Sequence, residues 1–347
     1  MGWSVKATAR VIFAASLPLV ILLQQLPLLH PAAAEADAQL TTREKSPPPE
    51  TDECWIFTHL QKCGGSTVKG ILSETWGPRY CIYDSMRWKM GGDFLNGFVH
   101  RFVEKGQWNV MTGGYPEALR RSTALDGNKC RWFTMFRHPI SRLVSAYFYC
   151  RNLPGDVACA SEVLNAGDVD LLEFAKHWGS FGMRQFALSL VDNDEVMAYA
   201  RSPAGRGKLP QVPDIEKVSG WYLLKMFLDE KGAATGVDIP DVAMYEMLEP
   251  VEAMLRNSYA AVGILEKFNT TLSLFDAALE MPGVDWERQF HEEGRINVDR
   301  RNKKEEAATL EEAWTDPKIR KYVWLDLLLY GQAVAIFRDQ ARDLGLE

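Results

Sequence analysis

The stretch CWIFTHLQKCGGSTV, residues 54–68, decides the fold class because three kinds of local structure follow one another within it. The apolar run Cys54–His59 predicts a buried strand, and the pair Gly64-Gly65 predicts a tight turn. The segment Thr67–Trp76 predicts a helix that opens at Ser66. A strand that runs through a glycine turn into a helix is typical of an α/β protein.

The same turn carries the groups that an anion needs. Glycines let backbone N–H groups approach a ligand closely, and a helix N-terminus adds unpaired donors and a partial positive charge. Lys62 supplies a full charge, while Ser66 and Thr67 supply hydroxyl groups. Because Lys62 precedes the glycines, the spacing differs from GxxxxGK[ST] and disfavours a P-loop NTPase. The alternative is an ordinary strand–turn–helix connection in which Ser66 is the N-cap.

A second stretch, FTMFRHPISRLVSAY at residues 133–147, has a related design. A predicted strand ends at Arg137, Pro139 occupies a favourable first helical position, and Ser145 lies two turns into the helix. An arginine fork and a serine hydroxyl can together hold a phosphate group. The alternative is a surface arginine and a solvated serine.

The rest of the chain alternates short apolar runs with helical patterns, which predicts a central parallel sheet flanked by helices. In such sheets ligands lie at the carboxyl ends of the strands, so both loops should face one crevice. The further predicted strands are 80–83, 108–112, 131–136 and 260–265, and the further predicted helices are 140–149, a helix ending at 279, and 319–344.

The two stretches together resemble the signature loops of sulfotransferases that use 3′-phosphoadenosine 5′-phosphosulfate. The first resembles the 5′-phosphosulfate loop K-[TS]-[GA]-G-[TS]-[ST] of Golgi carbohydrate sulfotransferases. The second resembles the 3′-phosphate loop F-R-x-P-x-S-R-x-x-S-x-Y, matched from Phe136 to Tyr147. Later segments are similar as well: Val262–Phe268 to the family's V-G-x-x-E strand, and Leu325-Asp326 with Tyr330 to its C-terminal helix. The similarity covers roughly Cys54 to Leu344 and is greatest to the heparan and uronyl 2-O-, 6-O- and chondroitin-type branch.

The resemblance implies a fold, a donor and a set of roles. The fold would be the P-loop-like nucleotide-binding fold of sulfotransferases, and the activity would be transfer of a sulfuryl group to a hydroxyl of a glycan or proteoglycan. Lys62 would contact the bridging oxygen and the sulfuryl group. The 5′-phosphate would be bound by Gly64, Gly65, Ser66 and Thr67, and the 3′-phosphate by Arg137 and Ser145. The donor already carries the activated group, so the chemistry requires no metal.

The acceptor side departs from the family pattern. Many members carry Gly-His-x-Pro after the second strand, and the resemblance implies that this histidine is the family's general base. Gly114 occupies the corresponding position here. Glu117, three residues further on, and His59, at the end of the first strand, are the candidate replacements. Asp84, His100 and His138 are weaker alternatives, of which His138 is expected to orient its loop.

The N-terminal region predicts entry into the secretory pathway. Lys6 and Arg10 precede an uncharged run, Val11–Leu29, that is about long enough to span a bilayer. The basic flank places the rest of the chain in the lumen. We expect a signal-anchor at 1–30, a flexible stem at 31–52 and the sulfotransferase domain at 53–347, in a single-pass type II protein of the Golgi membrane. The alternative is a cleaved signal peptide, with Ala32-Ala33-Ala34 offering the cleavage site, and a secreted product.

Cysteines and charge agree with that compartment and restrict the partners. All six cysteines lie beyond the apolar run, and Cys150 and Cys159 flank a Pro154-Gly155 turn, which makes them the favoured disulfide pair. The net charge of −7 disfavours nucleic acid as a partner. An anionic glycan needs local basic groups, and two clusters offer them: Arg120-Arg121, and Arg295, Arg300, Arg301, Lys303 and Lys304.

Two other functions compete with sulfuryl transfer. Asp192-Asn193-Asp194 resembles the DxD motif of metal-dependent glycosyltransferases, although it explains neither loop. An inactive, donor-binding homologue is the third reading, and Gly114 motivates it.

Overall fold

The architecture is that of a computed structural model, which describes residues 51, 53–83, 108–114, 130–156, 159, 164–188, 190–191, 193–212, 214–215, 218, 220–234, 236, 238–293 and 303–346. The predicted anchor at 1–30 lies outside the described residues, as does the predicted stem at 31–52 apart from Thr51. Within the described ranges, no helix is both long enough and apolar enough to cross a bilayer.

The strands are short and apolar, and all but the edge strand Tyr80–Tyr83, where Ile82 is 55% exposed, are mostly buried, as expected for a sheet covered on both faces. They are β1 (Cys54–Thr58), β2 (Tyr80–Tyr83), β3 (Val110–Gly113), β4 (Cys130–Phe136) and β5 (Tyr259–Ile264). They form a parallel sheet in the order β2-β3-β1-β4-β5. The predicted α/β class with a central parallel sheet is therefore confirmed.

Helices make up most of the remaining described chain. They are α1 (Gly65–Trp76), α2 (Pro139–Asn152), α3 (Leu171–Trp178), α4 (Phe181–Ala187), α5 (Asn193–Arg201), α6 (Pro203–Lys208), α7 (Gly220–Ala233), α8 (Leu248–Ser258), α9 (Phe268–Leu279), α10 (Trp286–Glu293), α11 (Lys303–Thr315) and α12 (Pro317–Asp343). Short 3₁₀ segments occupy Gly77–Arg79, Val242–Met247 and Leu265–Lys267.

Aromatic contacts show that helices cover both faces of the sheet. The Phe133 ring in β4 meets Phe275 of α9 and Trp286 of α10 edge-on, at centroid distances of 5.2 and 6.0 Å. Phe136, three residues along the strand, stacks instead on Phe186 of α4 at 5.6 Å. Because successive side chains of a strand point to opposite faces, α9 and α10 cover one face and α4 covers the other.

A buried ion pair fixes α2, the helix that follows the second loop. Arg142 of α2 donates to Asp326 of α12, and both side chains are 4% exposed. Asp326 also accepts the backbone N–H groups of Gly182 and Met183, at 3.2 and 2.7 Å. One carboxylate therefore joins three helices, and these bonds offset the cost of burying its charge.

Two disulfides are present. Cys150 and Cys159 are bonded, which confirms the favoured pair. Cys54 and Cys130 form a second bond, which the sequence did not predict; they are register partners at the starts of β1 and β4. The two bonds are consistent with a secreted or luminal protein. Cys63 and Cys81 remain free thiols.

The sequence predicted the positions of the strands more accurately than those of the helices in the middle of the chain. Strands 54–59, 80–83, 131–136 and 260–265 agree with β1, β2, β4 and β5 to within one residue at either end, and 108–112 agrees with β3 to within two. The predicted helices at 140–149 and 319–344 correspond to α2 and α12. The helices between Leu171 and Ser258 were not predicted individually.

Candidate functional site: two cationic loops at the carboxyl edge of the sheet

The first loop connects β1 to α1 through two left-handed residues. Lys62 has φ +64° and Gly64 has φ +80°. A left-handed lysine is unusual, and such residues concentrate in turns that serve a function. The helix begins at Gly65, with Gly64 as N-cap and no side-chain cap. Ser66 therefore lies inside the first turn and is not the N-cap of the alternative interpretation.

Packing within the chain accounts for both glycines. A methyl group on Gly64 would lie 2.9 Å from Leu265 Cδ1 and 3.0 Å from Met135 Cε. A methyl group on Gly65 would overlap the imidazole ring of His59, which is 5% exposed. The glycines are thus required by the turn itself, and the case for a ligand must come from the charges around it.

The second loop joins β4 to α2 and is held by residues far along the chain. The His138 N–H donates to Glu266 Oε1 at 2.8 Å, and the Tyr330 hydroxyl donates to Glu266 Oε2 at 3.1 Å. The His138 ring stacks on Trp314 with centroids 4.1 Å apart, and burial lowers the pKa of that imidazole. His138 therefore lies where it can orient the loop, and Glu266 and Tyr330 support it.

The two loops meet in space. Arg137 Nη1 donates to the Lys62 carbonyl at 3.3 Å, so the end of β4 is joined to the turn after β1. Lys62 Nζ lies 4.0 Å from the centroid of the Tyr149 ring in α2. Ser145, which is half-buried, precedes Tyr149 by four residues and so shares its face of the helix. The structure thus brings Lys62, Arg137 and the Ser145 face of α2 together.

Two cations lie at this edge of the sheet, beside helix N-termini that have no side-chain cap. Neither α1 nor α2 has an acidic residue in its first turn or a side-chain cap, whereas α3 and α12 are capped by Asp170 and Asp316. Burial, followed by the nearby charge of Arg137, lowers the pKa of Lys62 to about 8. Two cations beside an uncapped helix N-terminus repel one another, and an anion would relieve that repulsion.

The Cys63 thiol is unreactive, although it lies between Lys62 and Gly64 in the first loop. Its side chain is 1% exposed, and burial raises the pKa of the thiol to about 11. A thiol in this state is neutral at physiological pH and is a poor nucleophile.

A glutamine that the sequence analysis missed joins the loop to the neighbouring strand. Gln185 of α4 donates through Nε2 to the His59 carbonyl at 2.8 Å and also to the Gly114 carbonyl. The His59 N–H donates to the Gly113 carbonyl at 2.9 Å. No sequence signal singled out Gln185, because its role depends on how α4 packs against the ends of β1 and β3.

Several candidates lie outside the described residues. They are Glu117, Asp84, His100, Arg120, Arg121, Arg295, Arg300, Arg301 and Asp192. Of the remaining basic cluster, Lys303 and Lys304 are exposed in α11, and Lys303 pairs with Glu306. Asp194 is exposed at the start of α5. In the described portion of the chain, no group of three or more potential metal ligands occurs.

The fold and site together define an α/β protein in which two cationic loops meet at the carboxyl edge of a parallel sheet. No family model matches the chain, and no curated protein matches it.

Proposed function

We propose that the chain is a sulfotransferase that transfers a sulfuryl group from 3′-phosphoadenosine 5′-phosphosulfate to a hydroxyl of a glycan or proteoglycan. One observation carries the proposal: Arg137 bonds to the Lys62 carbonyl, which unites the two loops into one cationic site. A donor with phosphate groups at both ends of an adenosine suits two cationic loops better than a ligand with one phosphate group does.

The residues present suit this donor. The N–H groups at the uncapped start of α1, with Lys62 and the hydroxyls of Ser66 and Thr67, suit the 5′-phosphosulfate. Arg137 and Ser145, at the other loop, suit the 3′-phosphate. The fold would then be the P-loop-like nucleotide-binding fold of sulfotransferases, with the donor at the carboxyl edge where the strand order reverses between β1 and β4.

In the proposed reaction, the acceptor oxygen forms a bond to sulfur while the bond from sulfur to the bridging oxygen breaks. Negative charge builds on the leaving phosphate, and a Lys62 ammonium beside the bridging oxygen stabilises it. The acceptor proton passes to a general base, for which His59 and Glu117 are the candidates. His59 lies at the turn with its ring against Gly65, so it is close to the proposed sulfuryl group.

The proposed setting is the Golgi lumen, with the chain attached to the membrane by residues 1–30, or secreted after cleavage there. The two disulfides support an oxidising compartment. The proposed acceptor is anionic and would be bound by basic groups at the crevice.

Calorimetry tests the donor site. The unmutated protein should bind 3′-phosphoadenosine 5′-phosphate more tightly than adenosine 5′-monophosphate. Arg137→Ala should abolish most of that preference, roughly 10- to 100-fold for a charged hydrogen bond to phosphate. Arg131→Ala is the matched control, because Arg131 lies at the opposite end of β4 and pairs with Glu53 and Glu280.

The outcomes separate the competing functions. If the unmutated protein binds neither nucleotide, the sulfotransferase proposal fails. Tight binding with no transfer of labelled sulfate to a broad glycan panel would identify an inactive homologue. If transfer occurs, pH–rate profiles of His59→Ala and Glu117→Ala should show which variant loses the acidic limb, where the rate falls as the general base becomes protonated.

A further inference from the structure

The ammonium of Lys62 has an aromatic partner. Its Nζ lies 4.0 Å from the centroid of the Tyr149 ring, which is the geometry of a cation–π contact. Among the described residues, no carboxylate lies within ion-pair distance of this Nζ. The ring therefore attracts the cation without neutralising it, and the charge stays available to an incoming anion.

The Tyr149 ring is itself held in place. Its hydroxyl donates to Asp156 Oδ2 at 2.6 Å. Asp156 lies in the short loop closed by the disulfide between Cys150 and Cys159. The Asp156 N–H donates to the Leu153 carbonyl at 3.1 Å, and the Cys159 N–H donates to the Asp156 carbonyl at 2.9 Å. Backbone hydrogen bonds and the disulfide thus hold Asp156 in place, and Asp156 in turn holds the Tyr149 ring.

The charges around Lys62 act in both directions and come from three elements. Arg137, at the end of β4, and Lys303, in α11, disfavour the ammonium; Asp156, in the disulfide loop, and Glu306, in α11, favour it. Burial is the largest influence and also disfavours the charge. Without a fixed partner, a flexible lysine under this repulsion would turn away from Arg137 toward the carboxylates or water.

We propose that Tyr149 is a positioning residue for Lys62, with its ring holding the ammonium beside Arg137 and its hydroxyl, bonded to Asp156, holding the ring. The catalytic consequence rests on the proposed sulfuryl transfer, but the positioning itself does not. The Cys150–Cys159 loop therefore acts on the site indirectly, because it carries Asp156, the carboxylate that orients Tyr149.

The positioning is measurable without activity. Reductive ¹³C-methylation of the full-length chain keeps each lysine charged, and the Lys62→Arg variant identifies the Lys62 signal in the NMR spectrum. Methyl protons held over a ring face are shifted upfield by the ring current. The shift should be present in the unmutated protein, lost in Tyr149→Leu, kept in Tyr149→Phe and reduced in Asp156→Ala.

Phe148→Leu is the matched control for lost aromatic packing. Phe148 is a buried neighbour on the same helix, and its ring contacts Tyr147 and Arg151. This variant should lower the melting temperature yet leave the Lys62 methyl signal upfield. If Tyr149→Leu and Asp156→Ala both leave the signal where it is, the proposed positioning is wrong.

The catalytic arm uses the same variants. Tyr149→Leu should lower kcat roughly tenfold, the size expected for losing a cation–π contact in the transition state, with little change in the donor KM. Asp156→Ala should lower kcat less, and Phe148→Leu should leave kcat unchanged. Absence of nucleotide binding in the unmutated protein overturns the sulfotransferase proposal alone, because the ring-current shift still decides the positioning. Nucleotide binding and transfer with an unaltered kcat in Tyr149→Leu overturn the catalytic role of Tyr149.

Discussion

Replacing Lys62 by methionine separates two effects of this partly buried cation: the stability that its charge costs the folded chain, and the contribution of that charge to ligand binding at the site. Methionine retains an unbranched side chain and a favourable contact with the Tyr149 ring while removing the charge. The pKa of Lys62 is lowered from 10.5 to about 8 by burial and by Arg137. The difference between these two pKa values, multiplied by 2.303RT, is about 3 kcal/mol. The charge on Lys62 lowers the free energy of unfolding by about this amount.

The sign of the pH dependence follows from the direction of that shift. Below about pH 8 the folded and unfolded chains both carry the proton on Lys62, so the full cost is present at pH 7. Between about 8 and 10.5 the folded chain releases the proton while the unfolded chain keeps it, so the cost shrinks. Above 10.5 both are neutral and the cost is gone. Lys62→Met should therefore be more stable than the unmutated protein at pH 7, by an amount that falls toward zero at pH 10.5.

Scanning calorimetry of both proteins between pH 7 and 10 provides the assay. A gain of about 3 kcal/mol raises the melting temperature by several degrees for a domain of this size. Lys176→Met is the control, because Lys176 is exposed and a hydrogen bond to Glu173 raises its pKa, so its loss should destabilise slightly. Adding 3′-phosphoadenosine 5′-phosphate should reverse the order by stabilising the unmutated protein more. A Lys62→Met variant that is less stable at pH 7, or a gap that does not narrow with pH, would refute the reasoning.

Three further predictions concern the same region. Gly65→Ala should destabilise the protein by about 1–3 kcal/mol through overlap with the His59 ring, and His59→Ala in the same chain should recover most of that loss in urea unfolding. Asp326→Ala should cost about 3–5 kcal/mol, because it leaves Arg142 buried and unpaired; a melting temperature within 2 °C of the original would contradict this. The affinity for 3′-phosphoadenosine 5′-phosphate should be constant from pH 7 to about 8 and weaken above it as Lys62 loses its proton, whereas Lys62→Arg should bind with no such decline in calorimetry.

The strands and the loops after them were predictable because each strand carries its own signal. A buried run of apolar residues such as Cys54–His59, bounded by a glycine turn, specifies a strand whatever lies elsewhere in the chain. The meeting of the two loops followed from parallel topology, since strand ends share an edge. The hydrogen bond from Arg137 to the Lys62 carbonyl shows that the two loops do lie side by side.

The contacts that complete the site were not predictable, because they depend on packing between distant segments. Gln185 reaches two strand ends only because of where α4 lies. The Tyr149 ring contacts Lys62 from a helix that is distant in sequence, at a turn in which Lys62 has a left-handed backbone. The glycines were interpreted as giving room to a ligand, whereas packing against His59, Leu265 and Met135 already requires both.

The bond between Cys54 and Cys130 has a consequence for how the chain reaches its fold. These residues are 76 apart in sequence, and β1 must pair with β4 although β2 and β3 intervene along the chain. Bringing such distant strands together costs loop-closure entropy, which slows folding. When this disulfide is intact, the unfolded chain begins refolding with the starts of β1 and β4 already held together. Refolding from denaturant should accordingly be faster with this bridge intact than in a Cys54→Ser, Cys130→Ser chain, and the two cationic loops should form early.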